Sequence, residues 1–222
     1  MIKAVIYDMD GLILDSEPWW KEAEIKVFGS VGVPLTPQMC DTTVGMRLKD
    51  VSRYWHEGYP WDLKKTPLEK VNSEIVEEII RLINTNGTLN NGVKESFEFF
   101  QAKDLPLALA SSSDMKIIDT VLDKFSLRDI FNVVHSAEFE EYGKPHPAIY
   151  INTAKALYIS SNDCLAIEDS FYGVISAISA GMKTIAVPEL TNFYNPKFDI
   201  ASLKLRSLKD LNDEEFNKLN KL

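Results

Sequence analysis

The sequence of 222 residues is poor in cysteine and histidine, short of basic charge and without a long apolar run. Its two cysteines, Cys40 and Cys164, cannot build a disulfide framework and lack the close spacing of metal ligands. Both read as buried thiols in a reducing compartment. Three histidines, His56, His135 and His146, show no metal-like spacing either and read as structural. Lys and Arg number 24 against 33 Asp and Glu, a formal net charge of −9. So acidic a chain argues against nucleic acid or an anionic membrane surface as partner, since both select basic patches. No stretch approaches the ~18 apolar residues of a membrane span. The opening apolar run, Ile2 to Tyr7, is broken by Asp8 and Asp10 too early to form the core of a secretion signal. The expectation is a cytoplasmic monomer with no nucleic-acid and no membrane partner. A small anionic substrate would need local positive charge from lysine, arginine or a metal.

The stretch Val5 to Leu12 organises what is present. Ile2 to Tyr7 reads as a buried strand of a parallel sheet. Asp8, Met9, Asp10 and Gly11 follow it, where open α/β sheets bind ligands. Two carboxylates so close are costly unless a cation or a shared proton compensates them.

From about residue 16 to 88 the periodicity is helical. Helices are expected over 19–28, 46–55 and 67–83, with no strand signal between them. Residues 84–92 are rich in Asn and Gly and read as a hinge or linker. Beyond it strands and helices alternate. Strands are expected over 105–110, 130–135, 164–167 and 182–187, and helices over 93–102, 115–125, 147–157, 174–180 and 210–222. That alternation predicts an α/β fold, a doubly wound parallel Rossmann-like sheet carrying an inserted all-helical block. The predicted division is a core of residues 1–15 and 89–222 and a helical cap of 16–88.

Polar clusters close three of the strands: Asp8 and Asp10, Ser111 and Ser112, Glu168 and Asp169. The loop Gly143-Lys144-Pro145 adds a fourth. Taken alone, Ser111 is more often a helix cap, Lys144 a solvated lysine, and Glu168-Asp169 a helix start. Together and in this order they resemble the haloacid-dehalogenase superfamily of phosphohydrolases. Asp8-Met9-Asp10-Gly11, Leu109-Ala110-Ser111, Gly143-Lys144-Pro145 and Ile167-Glu168-Asp169-Ser170 carry the resemblance, which runs over essentially the whole chain. The branch it resembles is that of β-phosphoglucomutase and the 2-deoxyglucose-6-phosphate phosphatases. Asp15-Ser16-Glu17-Pro18 and Gly45-Met46-Arg47 fit that branch. Asn91, where relatives often carry proline, departs from it.

The resemblance implies a nucleophilic Asp8 that forms an aspartyl-phosphate, and Asp10 as general acid and then general base. It implies Mg2+ held by the Asp8 carboxylate, the Asp10 carbonyl and Asp169, with Glu168 behind them. Ser111, Ser112 and Lys144 would hold and neutralise phosphate. From the helical block, Arg47 would reach substrate on closure and Trp20 would line the gap. The expected partner is a small phosphorylated sugar, a hexose or deoxyhexose phosphate. The resemblance leaves open a phosphomutase. A phospho-accepting receiver module is the reading from another class, and it places its acceptor after a middle strand of a shorter chain.

Overall fold

The structure, a computed structural model, describes residues 1–221. Its strands are β1 (Ala4–Tyr7), β2 (Leu107–Ser111), β3 (Val133–Ser136), β4 (Cys164–Glu168), β5 (Lys183–Ala186) and β6 (Leu203–Lys204). They form one six-stranded sheet in the order β3-β2-β1-β4-β5-β6, with every pairing parallel. The interior strands β1, β2 and β4 are buried at every position. Covered on both faces, such strands read as near-continuous apolar runs.

Alternation along the strands sorts the two faces. Val5, Tyr7, Leu107, Leu109, Leu165 and Ile167 join one apolar cluster with α5 (Val93–Gln101), α6 (Met115–Phe125) and α9 (Asp213–Lys221). Ala4, Ile6, Ala108, Ala110, Cys164 and Ala166 face α7 (Ala148–Ala156) and α8 (Phe171–Ser179). Most of that second face is alanine, so its helices can lie close to the sheet. Strand β1 sits at the switch point, with β2 on one side and β4 on the other. The crevice past the carboxyl ends of these three strands is where such sheets bind ligands.

Between β1 and β2 the chain forms α1 (Glu17–Ser30), the short α2 (Pro37–Cys40), α3 (Leu48–Gly58) and α4 (Leu68–Asn86). The stripe Val71, Ile75, Ile79, Leu82 and Ile83 of α4 is buried. Helix α4 packs against α1 and α3 and leans on α6 of the core. This confirms a doubly wound parallel sheet with an inserted helical block.

Several boundaries differ from expectation. Helix α4 runs on through Asn86, into the stretch read as a hinge. The rest of that stretch is tied down: Leu89 pairs antiparallel with Leu14, and Asn90 Nδ2 donates to the carbonyls of Gly11 (2.9 Å) and Leu12 (3.1 Å). The expected strand over 130–135 starts later, because Arg128–Ile130 winds into a 3-10 turn. Two short elements, α2 and β6, were not expected. The closing helix spans Asp213–Lys221, and Leu222 lies outside the described residues.

Candidate active site

Parallel register places the site. Tyr7 is level with Leu109 of β2 and Ile167 of β4. The next residues, Asp8, Ala110 and Glu168, therefore emerge side by side, with Asp10, Ser111 and Asp169 just beyond. Gly11 turns the chain at φ +73°, and a Cβ there would lie 2.0 Å from Asp169 Oδ2. The missing side chain lets the Asp169 carboxylate sit against the β1 loop.

Lys144 is buried and donates to Asp8 Oδ1 and Glu168 Oε1, both at 2.6 Å, and to the Ala110 carbonyl at 3.3 Å. Burial opposes the ammonium charge, but the Asp8 and Glu168 carboxylates overcome it and hold its pKa above the ordinary value. Burial, then the Glu168 charge, raises the Asp8 carboxyl. Burial, then the charges of Asp8 and Glu168, raises Asp169 well above the carboxylate range.

One carboxylate oxygen from each of Asp8, Glu168 and Asp169 lies within 4.8 Å of the others. Three buried acids sharing one lysine are short of positive charge, and a hard divalent cation fits that donor set. Glu168 contributes least to it. Its Oε1 accepts from Lys144 and the Tyr150 hydroxyl, and its Oε2 from the Ser170 hydroxyl and amide. Those four donors match the roughly four lone-pair sites of a carboxylate. Asp8 and Asp169 are the acids left free to ligate.

Asp10 is held differently. Ser16 Oγ (2.7 Å) and Trp20 Nε1 (2.9 Å) donate to its Oδ1, while Ser113 Oγ (2.7 Å) and Ser111 Oγ (3.3 Å) donate to its Oδ2. Its carboxylate is not part of the three-acid cluster. Ser112 lines the cleft and donates its hydroxyl to the Gly45 carbonyl of the helical block at 2.9 Å.

The helical block roofs these residues. The resulting cleft is lined by Asp8, Asp10, Ser112, Ser113, Lys144 and Asp169 below and by Glu17, Trp20, Glu24 and Met46 above. Trp20 is among the residues lining the cleft and also bonds Asp10, a contact not expected from the sequence. Arg47 needs a correction. It does not line the cleft: its guanidinium donates to the carbonyls of Ala137 (3.2 Å), Glu140 (2.7 Å) and Glu141 (3.3 Å) and to Asp50 Oδ2 (2.7 Å). With those donors spent, it fastens α3 to a core loop. Ser16, Ser113, Tyr150 and Glu24 were missed. A serine or glutamate in a polar turn or amphipathic helix gives no signal before the fold is known. The histidines stay outside the cleft; His135 faces Glu140 Oε1 at 2.7 Å.

This geometry can be set beside known proteins. The chain is 36% identical to hexitol phosphatase B of Escherichia coli K12 over 211 residues, 95% of this chain and 94% of that one. It is 32% identical to a phosphorylated carbohydrates phosphatase of Thermotoga maritima, over 83% of this chain and 84% of the relative. Its fold matches a crystal structure of β-phosphoglucomutase from Clostridium difficile with a TM-score of 0.86 and 24% identity, covering 100% and 98% of the two chains. The profile of one family spans residues 5–187, from β1 and its aspartates to the end of β5. By that match and those relatives, the chain belongs to the family of haloacid dehalogenase-like hydrolases.

Proposed function

We propose that this protein is a magnesium-dependent phosphatase of small sugar and polyol phosphates, working through an aspartyl-phosphate on Asp8. The observation that carries the reading is the buried Asp8–Lys144 contact at 2.6 Å, beside a fully bonded Asp10, in a cleft roofed by helices. The names of the relatives in Escherichia coli and Thermotoga maritima support the substrate class.

In this reading an Asp8 carboxylate oxygen attacks phosphorus. The bond to the sugar oxygen breaks, and that oxygen takes a proton from Asp10. Asp10 then removes a proton from water, whose oxygen attacks phosphorus and releases Asp8. Lys144 orients Asp8 and offsets phosphate charge, while Ser111 and the Ser112 backbone amide hold phosphate oxygens. Asp8 and Asp169, with the Asp10 carbonyl, would hold Mg2+, which supplies charge neutralisation for the transferring phosphoryl group. Residues 16–88 act as a cap on a core of 1–15 and 89–222.

The phosphomutase alternative draws on the fold likeness to β-phosphoglucomutase. It needs a cap group that couples sugar binding to proton transfer. Trp20 contacts Asp10 at the cap, and an indole N–H donates but relays no proton. Hydrolysis is therefore the favoured outcome.

The test is phosphate release from a panel of hexose, deoxyhexose and hexitol phosphates. Asp8→Asn should lose at least ~10³-fold in kcat while remaining folded. Chelation should abolish the wild-type rate and Mg2+ should restore it. Near-normal release by Asp8→Asn, or full activity after exhaustive chelation, refutes the assignment. Isomerised sugar phosphate exceeding free phosphate would favour the mutase.

A further inference from the structure

Helix α1 turns one face to the cleft: Glu17, Trp20, Lys21 and Glu24, at spacings of three and four residues. Trp20 meets Asp10 at the chemical end. Glu24 stands one turn further along, about 6 Å from Trp20 by the helix rise. Its side chain is buried, with 7% of its surface exposed, yet Oε2 has no hydrogen-bond partner among the described residues. The Cys40 thiol beside it is a weak donor. The wall of the same cleft also includes Thr43, Met46, Leu48 and Val51.

A buried carboxyl oxygen without a partner is a net cost to folding, and an apolar side chain would pack the same space better. Burial pushes the Glu24 carboxyl up to about 8, so it is largely the neutral acid near pH 7. A neutral carboxyl offers one O–H donor together with acceptor oxygens, the pairing that a hydroxyl group satisfies in both directions.

The cations of this cleft are both engaged. Lys144 lies between Asp8 and Glu168, and Lys21 pairs with Asp41 at 2.6 Å. A second phosphate or a carboxylate at the α1 end would find no free cation among the described residues of the cleft.

We propose that Glu24 is a specificity residue that binds the hydroxylated end of the substrate, selecting phosphate esters with an uncharged polyhydroxylated tail over apolar tails and over tails with a second anion. This rests on the phosphatase reading and deepens it. The fixed phosphate end and Glu24 would together read a chain of several carbons, with Trp20 flanking it.

The experiment compares kcat/KM for glucitol 6-phosphate with that for p-nitrophenyl phosphate, in wild type, Glu24→Leu and Glu24→Gln. The ratio should fall at least tenfold in Glu24→Leu. It should fall no more than about threefold in Glu24→Gln, which keeps a donor and an acceptor. An unchanged ratio in Glu24→Leu overturns the proposal. Should that variant not fold, wild type decides: glucitol 6-phosphate should exceed hexyl phosphate at least tenfold, and a hexitol bisphosphate by a similar factor. Equal rates overturn it. If wild type hydrolyses no ester at all, the phosphatase reading has failed instead.

Discussion

Asp10 receives four donors, and only one of them cannot reverse its role. Serine hydroxyls both donate and accept, whereas the Trp20 indole only donates. Oδ1 is thereby fixed as an acceptor. A proton on Asp10 belongs on Oδ2, toward Ser111 and Ser113, whose hydroxyls can turn to receive it. Trp20 is thus a positioning residue in the proposed chemistry. Trp20→Phe keeps an aromatic side chain, though a smaller one, and removes the N–H, and hydrogen bonds to charged groups contribute about 1.5–3 kcal/mol. The expected result is a roughly tenfold or greater fall in kcat with KM changed far less, read by steady-state kinetics. A rise in KM alone would restrict Trp20 to lining the substrate. Asp8, Asp10, Ser111 and Lys144 could be found in the sequence because each sits where a strand end or a turn puts chemistry. Ser113 and Tyr150 could not, because their value lies in meeting Asp10 and Glu168 across the fold. Arg47, at the start of α3, looks free in the sequence until the carbonyls of 137–141 are placed beside it.

Among the elements, α1 and α4 hold the roof together. Apolar packing along the α4 stripe does most of this, and a charged group borders it. Glu78 accepts from Lys26 of α1 and from Arg81, all at 2.9–3.0 Å. Those hydrogen bonds, first Arg81 and then Lys26, lower its pKa from 4.5 to about 2. A depressed carboxylate pKa contributes stability that is fully present above the unfolded value. That stability is lost as pH falls through the folded value, here between about 4.5 and about 2. Lys26 and Arg81 are largely exposed, so salt screens the effect. Urea midpoints from pH 5 to pH 2.5 should therefore fall more steeply in wild type than in Glu78→Gln. The two curves should converge at the acid end, and parallel curves would refute this. Element types were readable from apolar period in nearly every case. Ends were less readable, since capping and short 3-10 turns depend on neighbours such as Asn90 that only the assembled fold supplies.

Across the whole molecule, roof and sheet are joined by polar ties and by packing. Arg47 reaches three core carbonyls, Ser112 meets Gly45, and Lys124 of α6 donates to the α4 carbonyls of Ile83 (2.6 Å) and Asn84 (3.0 Å). A Cβ at Gly143 would come within 2.5 Å of Arg47 Nε, so the loop before Lys144 accommodates the arginine closely. Closure of the cleft and placement of Lys144 therefore share one contact. Arg47→Ala should speed amide exchange in α3 and in residues 137–143 and cost about 1–3 kcal/mol in stability. Exchange mass spectrometry on the full chain checks it. Unaltered exchange with a large rise in KM would return Arg47 to direct substrate contact.

The pairing of Leu14 with Leu89 has a consequence for how such a protein can change over time. It brings the chain leaving β1 and the chain returning to α5 to adjacent positions, so the sheet meets the whole helical block as one long loop. Strand register and the residues at the strand ends are set outside that loop. Lineages can then revise Glu17, Glu24 and their neighbours, or exchange the loop entirely, while inheriting Asp8, Asp10, Lys144 and Asp169 outside it unaltered. What is cleaved and how it is cleaved become separately heritable traits, joined where α1 lends Trp20 to Asp10.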